Sequence, residues 1–143
     1  AAPRGEMVIA ACSARTPGME IPDEIAGFPN AFLGAGFRRV ISAGWPVGDL
    51  VAALVMLRYH ELRADSTTAP VHALNEAQRW VKVLTFHQAA SYLEDLAGKA
   101  RQRGLPDDRL TDGADRVRLE APNAHSLVAS TPAAWGAFAL IGN

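Results

Sequence analysis

The chain has 143 residues, of which 49% are hydrophobic, and fourteen basic against fifteen acidic side chains leave a formal charge of -1. This length suits one domain with its own core and is short for two. The near-neutral charge gives no electrostatic reason to expect nucleic acid or an anionic membrane as a partner. No apolar run approaches the ~20 residues that span a bilayer, and no secretory signal pattern opens the sequence.

Cys12 is the only cysteine, which excludes an internal disulfide and makes a reducing cytoplasm the expected location. It follows the apolar run Met7–Ala11, which predicts a buried strand that ends at the thiol. Open α/β sheets gather their reactive groups at the carboxyl ends of strands. By position Cys12 is therefore a candidate nucleophile, whereas residue type alone favours an inert, buried thiol.

A helix from about Glu24 to Ala35 should follow, with Asp23 as its N-cap and Gly36 as its C-cap. Arg39 to Ala43 predicts a second short strand, which ends before Pro46 because proline forbids its simple continuation. The order strand, helix, strand implies a parallel pair joined by a right-handed crossover.

Three further helices are predicted. The first runs from about Asp49, its expected N-cap, to Arg63. The second begins near Pro70 and carries one apolar stripe, made of Val71, Leu74, Ala77, Trp80, Val81 and Leu84. The third runs from about Gln88 to Arg103, stops at Gly104, and turns inward Ala89, Leu93, Leu96 and Ala100.

The segment 105–132 is polar, interrupted by prolines and without a period, so it predicts a long surface loop. A last apolar strand is predicted over Ala137–Ile141, introduced by Trp135. We therefore expect a single α/β domain over residues 1–143.

Five blocks carry a family signal: Val8–Ser13, Ala31–Ile41, Trp45–Asp49, Ala73–Trp80 and Thr131–Phe138. In this order they resemble the CHAT domain of bacterial caspase-like peptidases, which is usually attached to tetratricopeptide repeats. They cover most of the chain outside residues 85–130. The chain departs from the family pattern at Gly48, at Thr131 and at the Ala43-Gly44 pair.

The resemblance implies the C-terminal half of a caspase-like three-layer α/β/α sandwich, with parallel strands and a final antiparallel strand. It also implies a cysteine endopeptidase that cleaves a protein substrate docked as an extended strand, with no metal or other cofactor. Cys12 would be the nucleophile and its backbone amide an oxyanion donor. The implied substrate contacts are Ala10, Ala43, Gly44, Trp45 and Asp49.

Within that resemblance, Ala10 borders the pocket for the side chain before the cut and favours an uncharged residue there. Asp49 is the one feature that favours Lys or Arg instead.

In the caspase-like order the general-base histidine precedes the nucleophile's strand, so none of the four histidines, which all follow Cys12, inherits that role by position. We therefore expect the dyad's histidine to lie outside this chain, and the chain alone to be inactive. The Met7–Ala11 strand would then lack a neighbour on its far side. We expect that edge to pair with the upstream half of the same domain or with a copy of the chain.

Two alternatives remain open. The same half-sandwich can serve as a non-catalytic interaction or dimerisation module in which Cys12 is inert. A strand-nucleophile amidotransferase or other hydrolase fits less well, because the sharp turn at such nucleophiles favours glycine neighbours, whereas Cys12 lies between Ala11 and Ser13. A histidine zinc site is not expected, because no two histidines have i, i+4 spacing.

Overall fold

The computed structural model of the protein describes residues 4–9, 29–64 and 67–142. The strands are β1 (Arg4–Ile9), β2 (Phe37–Ala43) and β3 (Phe138–Gly142). The helices are α1 (Asp49–Arg63), α2 (Pro70–Lys82), α3 (Phe86–Gln102), α4 (Asp108–Glu120) and α5 (Pro132–Trp135). Residues 29–34 are helical as well. In these three ranges no helix is both long enough and apolar enough to cross a bilayer.

The strands form one sheet in the order β1-β2-β3, with β1 parallel and β3 antiparallel to β2. This confirms the predicted α/β class, with a parallel pair and a final antiparallel strand. Ile9 pairs with Ser42, and Ala43 with Phe138. Strand β2 begins two residues before the predicted start. The predicted strand over Met7–Ala11 agrees with β1 as far as Ile9, and its last two residues lie outside the described ranges.

Both faces of β2 are covered. Side chains alternate along a strand, so Val40 and Ile41 point to opposite faces, and both are fully buried. The Ile41 face packs into the main core, together with Leu54, Val55 and Tyr59 of α1 and side chains of α2. Burial on both faces is typical of a strand inside a layered α/β domain.

The helical residues 29–34 agree with the predicted helix, and its earlier part, with the expected Asp23 cap, lies outside the described residues. Gly36 adopts a φ of +96°, and its N–H donates to the Leu33 carbonyl at 3.0 Å. This left-handed residue ends the helix, as predicted, because glycine adopts it without a steric penalty.

Helix α1 has the predicted bounds, but Asp49 is not its N-cap. The cap is Gly48, whose backbone is extended and whose carbonyl accepts the Ala52 N–H at 3.0 Å. Asp49 is instead the first helical residue. As an acidic residue in the first turn, it complements the positive end of the helix dipole.

Helix α2 begins at Pro70, as predicted, but its buried stripe differs from the predicted one. Val71 is 50% exposed, so its predicted inward position is wrong. The buried positions are Ala73, Leu74, Ala77, Gln78 and Val81. At 100° per residue, Val71 and Trp80 fall at the two margins of this stripe, each about 90° from its centre.

Helix α3 begins two residues earlier than predicted because Thr85 and Gln88 form a capping box at its start. It stops before Gly104, whose φ is +69°, as predicted. Its buried face consists of Ala89, Ala90, Leu93 and Ala97, so Leu96 and Ala100 are half-buried instead of fully inward.

The predicted loop over 105–132 is wrong, because residues 108–120 form α4 and residues 132–135 form α5. Leu110, Ala114 and Val117 are spaced at i, i+4 and i+7, and all three belong to or pack against the core cluster. This apolar stripe is only one residue wide and lies among charged residues. The helical period was therefore not recognised in the sequence.

Helices α3 and α4 form a hairpin whose two ends meet. Phe86 and His87 donate their backbone N–H groups to the carbonyls of Ser126 and Ala124, and the Val128 N–H donates to the Leu84 carbonyl. A bridge between Thr85 and Leu127 lies in the same place. The first and last residues of the hairpin are therefore adjacent in space.

Glu6 of β1 is tied to α1 by a hydrogen bond from the Tyr59 hydroxyl at 2.5 Å. Tyr59 is fully buried. The pKa of Tyr59 is raised well above its ordinary value. Burial is the largest cause, and the hydrogen bond to the Glu6 carboxylate is the next. The bond fixes the edge strand to the helix layer.

We predict that Gly142→Ala destabilises the protein by about 1–3 kcal/mol. Gly142 has a φ of +103°, and a Cβ at this position would overlap the Arg38 carbonyl oxygen, which is part of β2 and cannot move aside. Urea unfolding measures the loss. Gly98→Ala is the matched control, because its new Cβ meets nothing within 4 Å inside α3 and should raise stability by up to ~1 kcal/mol. Equal stability of Gly142→Ala and the parent would contradict the overlap.

We also predict that alkaline pH weakens the fold through Tyr59. Above pH ~10 the unfolded chain loses the Tyr59 proton while the folded chain keeps it, so the free energy of unfolding falls by up to ~1.4 kcal/mol per pH unit. Urea unfolding from about pH 8 to about pH 11 should give a shallower decline for Tyr59→Phe than for the parent. Equal slopes would show that Tyr59 ionises as readily in the folded protein as in the unfolded chain.

Candidate active site at the carboxyl end of β2

The carboxyl end of β2 opens to solvent over a few residues. Ala43 is half-buried, Gly44, Trp45 and Pro46 are exposed, and Val47 is buried again. Pro46 has no N–H group to continue a sheet ladder, so the strand ends before it. Three of the predicted substrate contacts therefore stand side by side at one end of the sheet.

Two hydrogen bonds hold this segment to residues 133–137, which lead from α5 into β3. The Gly44 N–H donates to the Ala137 carbonyl at 2.8 Å. The Trp45 indole Nε1–H donates to the Ala133 carbonyl at 2.7 Å. One tether fixes the backbone of β2 and the other fixes the adjacent side chain.

The Trp45 side chain is 45% exposed, and its single polar group is already bonded within the protein. What it presents to solvent is therefore aromatic surface. Such a surface suits the wall of a subsite for an apolar or aromatic side chain.

Asp49 lies four residues after Trp45 and is exposed at the first position of α1. Because Asp49 is exposed, its carboxylate is accessible to an incoming cationic group. The chain thus brings Asp49 to the same end of the sheet as Ala43, Gly44 and Trp45.

Ala10 and Cys12 lie outside the described residues. The last described residue before them, Ile9, pairs with Ser42 in the parallel ladder. Strand β1 therefore runs toward the same end of the sheet as Ala43.

The four histidines lie on helices or in a loop, as predicted. His60 belongs to α1, His72 to α2 and His87 to α3, and His125 follows α4. His60 is eleven residues from Asp49, about 16 Å along the axis of α1, and so lies at the far end of that helix. Within the described ranges, no three His, Cys, Asp or Glu side chains converge as metal ligands.

A cavity of about 220 Å³ lies away from β2, lined by Phe86, His87, Arg118, Ala121 and Ala124. Arg118 already pairs with Glu94 at 2.7 Å and with Asp115 at 3.6 Å. Its guanidinium is thus neutralised, and nothing there selects a charged ligand.

Sequence reasoning missed the supports of the site, namely Ala133, Ala137 and Gln78. Gln78 is buried and accepts the Phe138 N–H at 3.0 Å. Its position on the apolar stripe, one residue after Ala77 and three before Val81, is the signal that could have found it. Ala133 and Ala137 act through backbone carbonyls, which leave no trace in residue type.

A family model described as the CHAT domain matches residues 6–143, nearly the whole chain. No curated protein and no solved structure matches the chain. The match includes the last four residues of β1 and the whole of β2 and β3. This chain therefore belongs to the CHAT-domain family of caspase-like peptidases.

Proposed function

We propose that this chain supplies the nucleophile and part of the substrate cleft of a cysteine endopeptidase. The observation that carries the proposal is the parallel register that pairs Ile9 with Ser42. Three peptide units separate Cys12 from Ile9, so their Cα atoms lie within about 11 Å of each other. The proposal is that the Cys12 thiol acts on a peptide held at Ala43, Gly44 and Trp45, which this length of chain permits.

The reaction proposed is ordinary thiol acyl transfer. The Cys12 thiolate attacks the scissile carbonyl, and backbone N–H groups, that of Cys12 included, stabilise the oxyanion. The leaving amine takes a proton from a histidine, which we propose lies outside this chain. Water then hydrolyses the thioester and regenerates the thiol.

A substrate strand would lie along the edge of β2 that faces β1, beyond the described end of β1. Gly44 directs its N–H toward β3, and backbone groups alternate in direction along a strand. Ala43 therefore directs its own N–H and C=O to the opposite edge. Extended peptides bind such edges by main-chain hydrogen bonds, and adjacent pockets supply the specificity.

The residue before the cut is proposed to be uncharged, because Ala10 offers neither charge nor a side-chain hydrogen bond. Asp49, exposed near the same end of the sheet, is the one feature that favours Lys or Arg instead.

The remaining half of the cleft is proposed to come from the upstream half of the same domain or from a second copy, paired along the far side of β1. Among the described strands, β1 has a neighbour only on its β2 side. The outer edge of β3 differs, because Gln78 of α2 occupies its first N–H group. An unpaired edge with half-buried Met7, Val8 and Ile9 favours pairing with another strand.

We predict that Cys12→Ala abolishes cleavage by the complete protein, while the fold remains, because the small side chain is tolerated at a strand end. In the parent, a histidine-paired Cys12 should react with iodoacetamide at about pH 6, where an ordinary thiol with a pKa near ~8.5 is almost wholly protonated. Mass spectrometry follows the alkylation, and a fluorogenic peptide library follows the cleavage.

Ser13→Ala is the control, because it alters the neighbouring position and keeps the thiol. Cleavage that survives Cys12→Ala would contradict the proposal. A Cys12 that reacts only after denaturation would also contradict it and would favour the non-catalytic interaction module. The chain by itself, without the histidine, should show no activity.

We predict further that the isolated chain self-associates at micromolar concentration, or binds the upstream half when both are present, because the open edge of β1 seeks a strand partner. Sedimentation velocity over a concentration series measures this. A stable, soluble monomer throughout the series would count against pairing along β1.

A further inference from the structure

Gln78 has a buried side-chain amide, with 8% of its surface exposed. A buried side-chain amide costs free energy unless it is hydrogen-bonded. Its Oε1 accepts the Phe138 N–H at 3.0 Å, across sixty residues of sequence. This long-range bond fixes one group of the backbone where β3 begins.

The group that Gln78 holds is a single peptide unit. The Phe138 N–H and the Ala137 carbonyl belong to the same peptide group, and no described peptide bond is cis. In a trans peptide the N–H and C=O point in opposite directions. The N–H therefore meets Gln78 while the carbonyl meets the Gly44 N–H at 2.8 Å on the other side.

Helix α2 and the end of β2 are thus joined by a continuous chain of two hydrogen bonds through one planar group. Rotation of that group would break both bonds together, and hydrogen bonds in series strengthen one another. Residue 44 is a glycine with open space beside it, since a Cβ there would only touch the Ala137 oxygen at 3.7 Å. Glycine has no side chain that could hold residue 44 in place, so its position depends on its backbone hydrogen bond.

We infer that Gln78 is a positioning residue for substrate binding: through the 137–138 peptide group it fixes Gly44, and with it Ala43 and Trp45, in the geometry that receives the substrate strand. The inference rests on the proposed function. The hydrogen bond of Gln78 goes to the Phe138 N–H and not to Ala43, Gly44 or Trp45, so Gln78 acts on them through the backbone.

The test uses Gln78→Met in the complete protein, because methionine has a similar shape and lacks the acceptor oxygen. The Gly44 amide should exchange its hydrogen about tenfold faster relative to the Ile41 amide of the same strand. KM for a fluorogenic peptide chosen from a positional library should rise about tenfold, with kcat changed much less. Gln78→Glu keeps an acceptor oxygen and should restore both values toward those of the parent.

Val81→Ala is the matched control, because Val81 is buried three residues further along α2 but holds no backbone N–H. It should destabilise the core without a selective change at Gly44. The inference is overturned if Gly44 and Ile41 keep their exchange ratio in Gln78→Met, or if KM changes no more than in Val81→Ala. If the proposed function is wrong, cleavage survives in Cys12→Ala. The ratio of hydrogen exchange at Gly44 to that at Ile41 does not depend on activity, so it still tests whether Gln78 positions Gly44.

Discussion

The structure depends on β2 having a neighbour on each side and a covered surface on each face. Val40 and Ile41 point in opposite directions, and both are fully buried, which places β2 inside the layers. A strand in that position must satisfy its backbone groups through β1 and β3, and it does so in parallel on one side and antiparallel on the other. The strand opens to solvent toward its ends, at Arg38 on one side and at Gly44 and Trp45 on the other.

The helix layer is fastened to this strand by polar contacts at well-separated places. Tyr59 reaches Glu6 on the outer strand β1, and Gln78 reaches the first residue of β3. Both donate or accept from buried positions, where a lost hydrogen bond is costly. The two helices that supply them, α1 and α2, therefore set the positions of both strands beside β2.

Much of this fold could be predicted from the sequence because its elements carry strong local signals. The apolar residues of α1 and the glycine that ends α3 predicted those helices well. Helix α4 was missed because Leu110, Ala114 and Val117 alone mark its buried face, and charged neighbours mask a stripe so narrow. The Asp49 cap failed because a glycine can occupy the N-cap position without a side chain, and Asp49 then begins the helix instead.

The candidate site was predictable only in part, for a physical reason. The family resemblance implied Ala43, Gly44 and Trp45 as substrate contacts, and the proline after them indicated that the strand ends there. Their tethers could not be predicted, because Ala133 and Ala137 contribute carbonyl oxygens that every residue type possesses. The role of Gln78 depends on a contact sixty residues away, which no local pattern encodes.

The hairpin of α3 and α4 leaves and rejoins the domain at one place, where Leu84 and Val128 share a hydrogen bond. A segment whose entry and exit adjoin imposes little strain on the rest of the chain when its length changes, because the loop-closure cost grows only slowly with length. The hairpin coincides with residues 85–130, which lie outside the five sequence blocks but within the family match. The connection between α3 and α4 can therefore change in length at little cost, whereas the inner faces of the two helices cannot, because Ala89, Leu93 and Val117 belong to the same core as Ile41 of β2.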